Sequence, residues 1–296
     1  MKFVVTGING QVACALKALE QSEHQIIALG RPNLDLARPS TVFSAIREAK
    51  PDAVISSAAY TAVDKAESEP DAAFAVNRDG AQAVALVASE LGVPVIHLST
   101  DYVYDGKKLT PYVETDHTGP TSTYGISKLQ GEQAVIAANP NHAILRTAWV
   151  YSPYSSNFVK TMLRLAETRD EVKVVADQIG CPTSANDIAA MVSTIAKELS
   201  SNHDPELRGV FHVAGSGEAT WADFARYVFL VYEEITGRRI RVHNISTAEY
   251  PTPVHRPANS RLDCHKLEQT FGRRLPHWQQ SVRAVVSTLL SEGTHA

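Results

Sequence analysis

Cysteine is scarce in this chain. There are three, Cys14, Cys181 and Cys264, odd in number and far apart, and no CxxC pair occurs. That excludes a disulfide framework and a thiolate zinc site. Of the eleven histidines, none falls in an HExxH or comparable cluster. The acids are scattered rather than gathered into an oxygen cage, so no catalytic metal is expected. Charge of one sign is also lacking: 28 basic residues meet 32 acidic ones, a net of -4. This argues against a polyanion, and so against nucleic acid, as the partner. Two short basic clusters, Arg238-Arg239-Ile240-Arg241 and Arg273-Arg274, read as solvated surface. No run of about 18 apolar residues is present, and no membrane span is expected. The chain opens Met1-Lys2-Phe3-Val4-Val5-Thr6-Gly7, a strand pattern that leaves no room for a signal peptide. These features predict a soluble protein of a reducing, cytoplasmic compartment.

What is there is an ordinary globular composition, 44% hydrophobic and 20% charged over 296 residues. That suffices for one large or two modest domains. Short β-branched runs at 3–6, 25–29, 53–57, 93–98, 143–146 and 172–176 alternate with helical patterns at 11–21, 40–50, 71–91 and 122–138. Continuous apolar strands with helical crossovers predict a doubly wound parallel sheet of Rossmann type, an α/β fold. Ligands are then expected at the carboxyl ends of the strands. After about residue 149 the alternation weakens. Helices are expected at 158–167, 186–199, 221–235 and 279–291, and a strand at 210–213. The segment 250–257 carries three prolines and reads as an ordered loop. The expected organisation is a dinucleotide-binding domain, 1–148 with about 171–214, and a smaller C-terminal substrate lobe from about 149–170 and 215–296.

Each strand end carries chemistry. Thr6-Gly7-Ile8-Asn9-Gly10-Gln11 follows the first strand and opens a helix at Val12. Gly7 allows the tight turn, Gly10 lets the backbone approach a pyrophosphate, and the helix start points amides at it. Ala13 takes the place of a third glycine and is small enough for close packing. The cofactor-facing set here is Gly7, Asn9, Gly10, Gln11 and Val12. The second strand ends at Leu29-Gly30-Arg31. An acid there favours NAD, whereas Arg31 can pair with a 2′-phosphate, so NADPH is preferred and NADH stays open. Asp35 and Leu36 follow, placed to meet the adenine. The small residues Ser57, Ala58 and Ala59, with Tyr60, end the third strand, where the cofactor's middle can lie. Asp64 and Glu67 read equally as helix-start charges or as ligand contacts.

Tyr124-Gly125-Ile126-Ser127-Lys128 puts a phenol and an ammonium four residues apart, on one face of a helix. Upstream, Ser99-Thr100-Asp101 closes the fourth strand. Reducing a ketone needs a hydride donor and a proton donor. A free tyrosine titrates near 10. Lys128 is expected to lower that value and to reach the nicotinamide ribose, with Tyr124 as the proton donor. Thr100 is expected to donate to the substrate oxygen. The catalytic set is therefore Thr100, Tyr124 and Lys128.

With these motifs the chain resembles the extended short-chain dehydrogenase/reductases, and within them the reductases of keto sugars carried on dTDP. The resemblance also rests on Ala58-Ala59-Tyr60-Thr61-Ala62-Val63-Asp64-Lys65-Ala66-Glu67, Val76-Asn77, Ser99-Thr100-Asp101-Tyr102-Val103-Tyr104-Asp105-Gly106, Arg146-Thr147-x-Trp149-Val150-Tyr151, Asn157-Phe158-Val159 and Arg256-Pro257-x-Asn259-Ser260. It implies reduction by NADPH of the C4 ketone of dTDP-4-dehydro-β-L-rhamnose, to supply rhamnose for surface polysaccharides. It implies Asp101, Tyr102 and Trp149 beside the sugar, with core packing the other reading of Trp149. It implies Asn157 and Arg256 at the nucleotide diphosphate, with a salt bridge between lobes the other reading of Arg256. A homodimer is a further implication. Tyr104 departs from the pattern, standing where Phe is common. Two other roles use the same scaffold: another nucleotide-sugar enzyme, a 4-epimerase or a reductase of a different deoxysugar, and a non-catalytic NADP-binding regulatory subunit.

Overall fold

The structure, a computed structural model, describes residues 1–19 and 24–293. In chain order the elements are β1 (Lys2–Thr6), α1 (Gln11–Ala18), β2 (Gln25–Leu29), α2 (Pro39–Ala49), β3 (Ala53–Ser56), α3 (Val63–Ala66), α4 (Pro70–Phe74), α5 (Ala81–Glu90), β4 (Val95–Thr100), α6 (Thr123–Ala138) and β5 (His142–Thr147). The second half continues with β6 (Val150–Tyr151), α7 (Phe158–Thr168), β7 (Glu171–Val175), β8 (Ile179–Gly180), β9 (Thr183–Ser184), α8 (Ala185–Ser201) and β10 (Gly209–His212). It closes with β11 (Ala219–Thr220), α9 (Trp221–Thr236), β12 (Arg241–Ile245), β13 (Asn259–Ser260), α10 (His265–Phe271) and α11 (Trp278–Gly293). The helix expected at 11–21 is α1; residues 20 and 21 lie outside the described residues. The helix expected at 71–91 is α4 and α5 joined by a π-helical turn, Ala75–Gly80.

Six parallel strands form the central sheet in the order β10-β5-β4-β3-β1-β2. The apolar runs that predicted these strands are buried on both faces. Helices α1 and α8 cover one face, where Leu16, Ile188, Val192 and Leu199 pack on Phe3, Ile55, Ile96 and Leu145. Helices α2 and α5 cover the other, with Ile46, Val84 and Val87 against Val4, Val54 and Ile144. Each such side chain contributes about 1.5–3 kcal/mol by leaving water. From β1 the chain steps outward to β2 and then back past β1 to β3. The carboxyl ends of β1 and β3 therefore flank a switch point, where this fold opens a crevice.

The strand at 172–176 departs from expectation. It is β7, and it pairs in parallel with β12, from Glu171↔Arg241 to Val175↔Ile245, outside the central sheet. Its Val172 and Val174 pack with α7, α9 and α11 in a separate apolar cluster. The strand at 171–175 thus lies apart from the six strands of the central sheet. Among the described residues, no helix is long and apolar enough to cross a membrane.

Candidate active site

Helix α6 carries the reacting groups. Ser122 caps it by accepting from the Gly125 amide at 3.2 Å. Its buried residues, Tyr124, Gly125, Ser127, Lys128, Gly131, Glu132 and Val135, recur at three and four and make one stripe. Two glycines let that stripe lie close to its neighbours. A Cβ on Gly125 would run into the Tyr102 carbonyl, and one on Gly131 into the Asn77 carbonyl. Tyr124 and Lys128 thus share a face, as their spacing predicts.

Tyr124 is almost wholly enclosed by Ala66, Ala73, Tyr60, Val63 and Tyr102. Its ring meets Tyr102 edge-on, with centroids 5.4 Å apart. Burial raises its hydroxyl above the usual tyrosine value; the Thr100 hydroxyl opposes this, while Asp101 and Tyr102 add to it. Lys128 makes no hydrogen bond to it among the described residues. Its ammonium donates instead to the Leu98 carbonyl at 2.7 Å and sits 3.2 Å from Nε2 of His97. The ammonium is thus turned toward β4. Burial brings Lys128 down to about 8, against the pull of Glu132.

Thr100 is held on two sides. Its hydroxyl donates to Asp101 Oδ1 at 3.1 Å and accepts from the Tyr102 amide at 3.2 Å. The same hydroxyl lies beside that of Tyr124 and favours its ionised form. Asp101 is buried, and burial lifts its carboxyl to about 6, opposed by the Ser260 and Thr100 hydroxyls and by backbone amides. A carboxyl raised in the folded state contributes stability that is full below its unfolded value near 4 and lost as pH rises through about 6. Above that range the fold carries a buried charge costing roughly 3 kcal/mol. Asp101→Asn is therefore expected to raise the melting temperature by several degrees at pH 8 and to leave it unchanged at pH 4. Thermal melts at the two values check this.

The glycine turn is built as predicted. Gly7 has φ +94 and its amide donates to the Leu29 carbonyl at 2.6 Å. The Thr6 hydroxyl accepts from the Ser57 and Ala58 amides at 3.0 and 3.1 Å, tying the ends of β1 and β3 together. Gly10 precedes α1, and a Cβ there would meet open space, so a ligand can approach its backbone. Ala13 is fully buried beneath. Val12 is buried also, leaving its backbone amide as its contribution at the helix start. The side chain of Gln11 is committed elsewhere: it accepts from Ser152 and donates to the Val150 carbonyl. The Asn9 carbonyl accepts from Ser155 at 2.5 Å, so the glycine turn is fastened to the loop after β6.

Arg31 is exposed after β2, free of any ion pair among the described residues. Asp35 is spent locally, accepting from Arg38 at 3.0 Å and from the Ala37 amide at 3.1 Å. Leu36 is buried against Gly80. Asp35 closes a turn and Leu36 joins the core. Ala58, Ala59 and Tyr60 line the end of β3. They are held by Asn77, whose amide side chain bonds both the amide and the carbonyl of Tyr60 and donates to Ser127 on α6 at 2.9 Å. Asn77 sits in the π-helical turn, a widening often found at functional sites. No spacing pattern marks it in the sequence.

On the lobe side, Trp149 has φ +50 and stacks on Trp221 with centroids 3.6 Å apart, its other side over Gly180. It is half-buried, an aromatic wall at the cleft. Asn157 caps α7 and donates to the Ser152 and Tyr154 carbonyls. Both hydrogens of its amide are thereby engaged locally. Arg256 does bridge the lobes. Its Nη2 lies 2.5 Å from Asp64 on α3, and the Tyr102 hydroxyl is directed at its guanidinium. Burial pushes Tyr102 up to about 12. Asp64 is thereby an ion-pair partner rather than a mere helix-start charge. Glu67 accepts from the amide and hydroxyl of Thr123, fixing the start of α6.

Three buried polar atoms here, Asp101 Oδ2, Arg256 Nη1 and Thr147 Oγ1, find no partner among the described residues. Thr147 pairs with Thr100 across β4 and β5. Buried polar groups are as a rule satisfied, and these are ones a polar ligand can satisfy. Sequence reasoning missed Thr147 because an isolated threonine at a strand end carries no signal.

The chain matches the family described as RmlD substrate binding domain over residues 1–291. It is 66% identical over 296 residues to a dTDP-4-dehydrorhamnose reductase of Sinorhizobium fredii, covering 100% of each chain. Among solved structures, a dTDP-4-dehydrorhamnose reductase of Clostridium acetobutylicum superposes with a TM-score of 0.90 at 38% identity, covering 98% of this chain and 100% of that one. A dTDP-4-dehydrorhamnose reductase of Bacillus anthracis in complex with NADP superposes with a TM-score of 0.89 at 34% identity, covering 97% and 99%.

Proposed function

The chain belongs to the RmlD family of dTDP-4-dehydrorhamnose reductases, and from that premise we propose how its own residues perform the reduction. The reaction is the NADPH-dependent reduction of the C4 ketone of dTDP-4-dehydro-β-L-rhamnose to dTDP-L-rhamnose. The carrying observation is the enclosed Tyr124 hydroxyl beside Thr100, at the end of β4 and facing the crevice beside β1 and β3.

NADPH supplies the hydride when bound. The residues at hand fit it: the left-handed Gly7, the open backbone at Gly10, the amides of Gln11, Val12 and Ala13, and the small Ala58 and Ala59. Arg31, an exposed cation without an ion-pair partner among the described residues, suits a 2′-phosphate. Tyr124 holds its proton firmly and delivers it to the C4 oxygen as negative charge develops there. Thr100, bound to Asp101, stands beside the phenol oxygen and orients it, so that the phenol's O–H is free to turn to the C4 oxygen. Lys128 supplies positive charge below, which stabilises the phenolate left after transfer. Thr147 and Asp101 meet the sugar hydroxyls, Trp149 lines the sugar pocket, and Arg256 takes the diphosphate with the guanidinium edge that Asp64 leaves open.

We further propose that the cofactor domain comprises β1 to β5 with β10 and helices α1 to α6 and α8, and that β7 belongs to the substrate lobe with α7, α9, β12 and α11.

The testing experiment is the loss of reduced-nicotinamide absorbance with dTDP-4-dehydro-L-rhamnose generated in place. Stoichiometric NADPH consumption supports the reading. A folded protein that binds NADPH and consumes none overturns it. Arg256→Ala is expected to raise KM for the dTDP-sugar about 10- to 100-fold with a smaller change in kcat, since the lost contact acts on ground and transition states alike. Steady-state kinetics check this.

A further inference from the structure

His97 stands in the run 93–98, which is otherwise mostly apolar, and is 1% exposed. An apolar side chain would fill its place without desolvating a ring nitrogen. Instead both nitrogens are used. Nδ1 lies 3.0 Å from the Ser56 hydroxyl, directly across from it in the β3–β4 register, and Nε2 lies 3.2 Å from Lys128 Nζ. An ammonium only donates, so Nε2 carries the lone pair and Nδ1 carries the hydrogen, which goes to Ser56 Oγ. Burial, and then the charge of Lys128, keep the ring uncharged.

We propose that His97 is a positioning residue for the reduction: fixed by Ser56 as an uncharged acceptor, it sets where the Lys128 ammonium stands and keeps that ammonium protonated. Of the three N–H groups on Lys128, one goes to Leu98 and one to His97, leaving one for a ligand in the cleft. The inference rests on the reductase reading and assigns the anchor of its lysine.

The charged and titratable groups around Lys128 are few. On its own helix are Tyr124, one turn back, and Glu132, one turn on; Glu132 is paired with Arg146 of β5. From β4 comes His97. The turn after β4 brings Asp101 and Tyr102, which act on Tyr124. The π-helical turn faces α6 with the uncharged Asn77, while its Arg78 pairs with Asp79 and reaches Gln130. On α3 and α4, Asp64 is taken by Arg256 and Asp71 is exposed. His97 is thus the acceptor whose loss falls directly on the lysine.

Without that acceptor the buried ammonium is held less well and sheds its proton at lower pH. The test is the pH profile of kcat/KM for wild type, His97→Leu, His97→Gln and Ser56→Ala. In His97→Leu the basic limb should move to lower pH by about one unit or more, with activity at pH 8 down about 10- to 100-fold. His97→Gln, whose amide oxygen can accept from Lys128, should restore most of both. Ser56→Ala, which frees the tautomer, should give a smaller shift in the same direction. A merely structural role lowers activity at all pH values and leaves the basic limb in place; that result, or glutamine failing to restore the limb, overturns the inference. Should His97→Leu not fold, an unmoved limb in Ser56→Ala overturns it equally. A wild type without turnover overturns the reductase reading itself, a result distinct from variants with wild-type profiles.

Discussion

Tyr124→Phe is expected to fold, to bind NADPH as the wild type does, and to lose about 10²- to 10⁴-fold in kcat, the usual contribution of a positioned general acid. The substitution removes one oxygen and keeps the ring. The packing against Ala66, Ala73 and Tyr102 survives, so the melting temperature should stay close to that of the wild type. What is lost is the hydroxyl that faces Thr100. Its elevated value suits the direction of reaction: a phenol that resists ionisation stays loaded with the proton the alkoxide needs. Single-turnover measurement with excess enzyme separates chemistry from product release. A variant within about tenfold of wild type would remove Tyr124 from the proton-donor role and leave water or Thr100 as the source.

The same tyrosine shows what could be read from the sequence. Its spacing to Lys128, the glycine turn and the Ser99-Thr100-Asp101 strand end each depend on local order along the chain, and each element folds where the pattern puts it. Directions of side chains are another matter. Lys128 shares a face with Tyr124, yet its ammonium turns to β4 because His97 and the Leu98 carbonyl are there. His97 lies hidden inside an apolar run, and its partner Ser56 is 41 residues away. Asn157 and Asp35 were expected at the ligand. Both residue types are also the ones that cap helices and close turns, and here local backbone groups claim their side chains. The position of β7 outside the central sheet was hidden for a similar reason. Its alternating valines fit any half-buried strand, and its partner β12, Arg-Val-His-Asn-Ile, is mostly exposed and carries no apolar period.

The largest expected effect on stability falls on Glu132, which no catalytic motif marks. Its carboxylate accepts from Arg146 Nε at 2.9 Å and Nη2 at 2.6 Å, and from the Ser99 hydroxyl at 2.5 Å. The pair is buried, with side chains 5% and 2% exposed. The network continues: Arg146 Nη1 donates to the Tyr104 hydroxyl at 2.7 Å, which in turn lies 2.7 Å from His212 Nε2, while His212 Nδ1 donates to the Asp263 carbonyl. Burial brings His212 down to about 3, so it accepts from Tyr104 as an uncharged ring. A phenylalanine at 104 could not supply that link. The network ties α6, β4, β5 and β10 together directly behind the catalytic face. Glu132→Gln keeps the volume but leaves the guanidinium uncompensated out of water, and is expected to cost about 3–5 kcal/mol. Urea unfolding at pH 7 measures it. Replacing both partners, Glu132→Leu with Arg146→Met, removes the stranded charge together with its counter-ion. The double variant should therefore lose less than the sum of Glu132→Leu and Arg146→Met, a coupling that the thermodynamic cycle of these variants reads directly. Additive losses would mean that the two side chains act as independent packing groups. In that case the arginine finds enough compensation in Tyr104 and the surrounding backbone to stand alone.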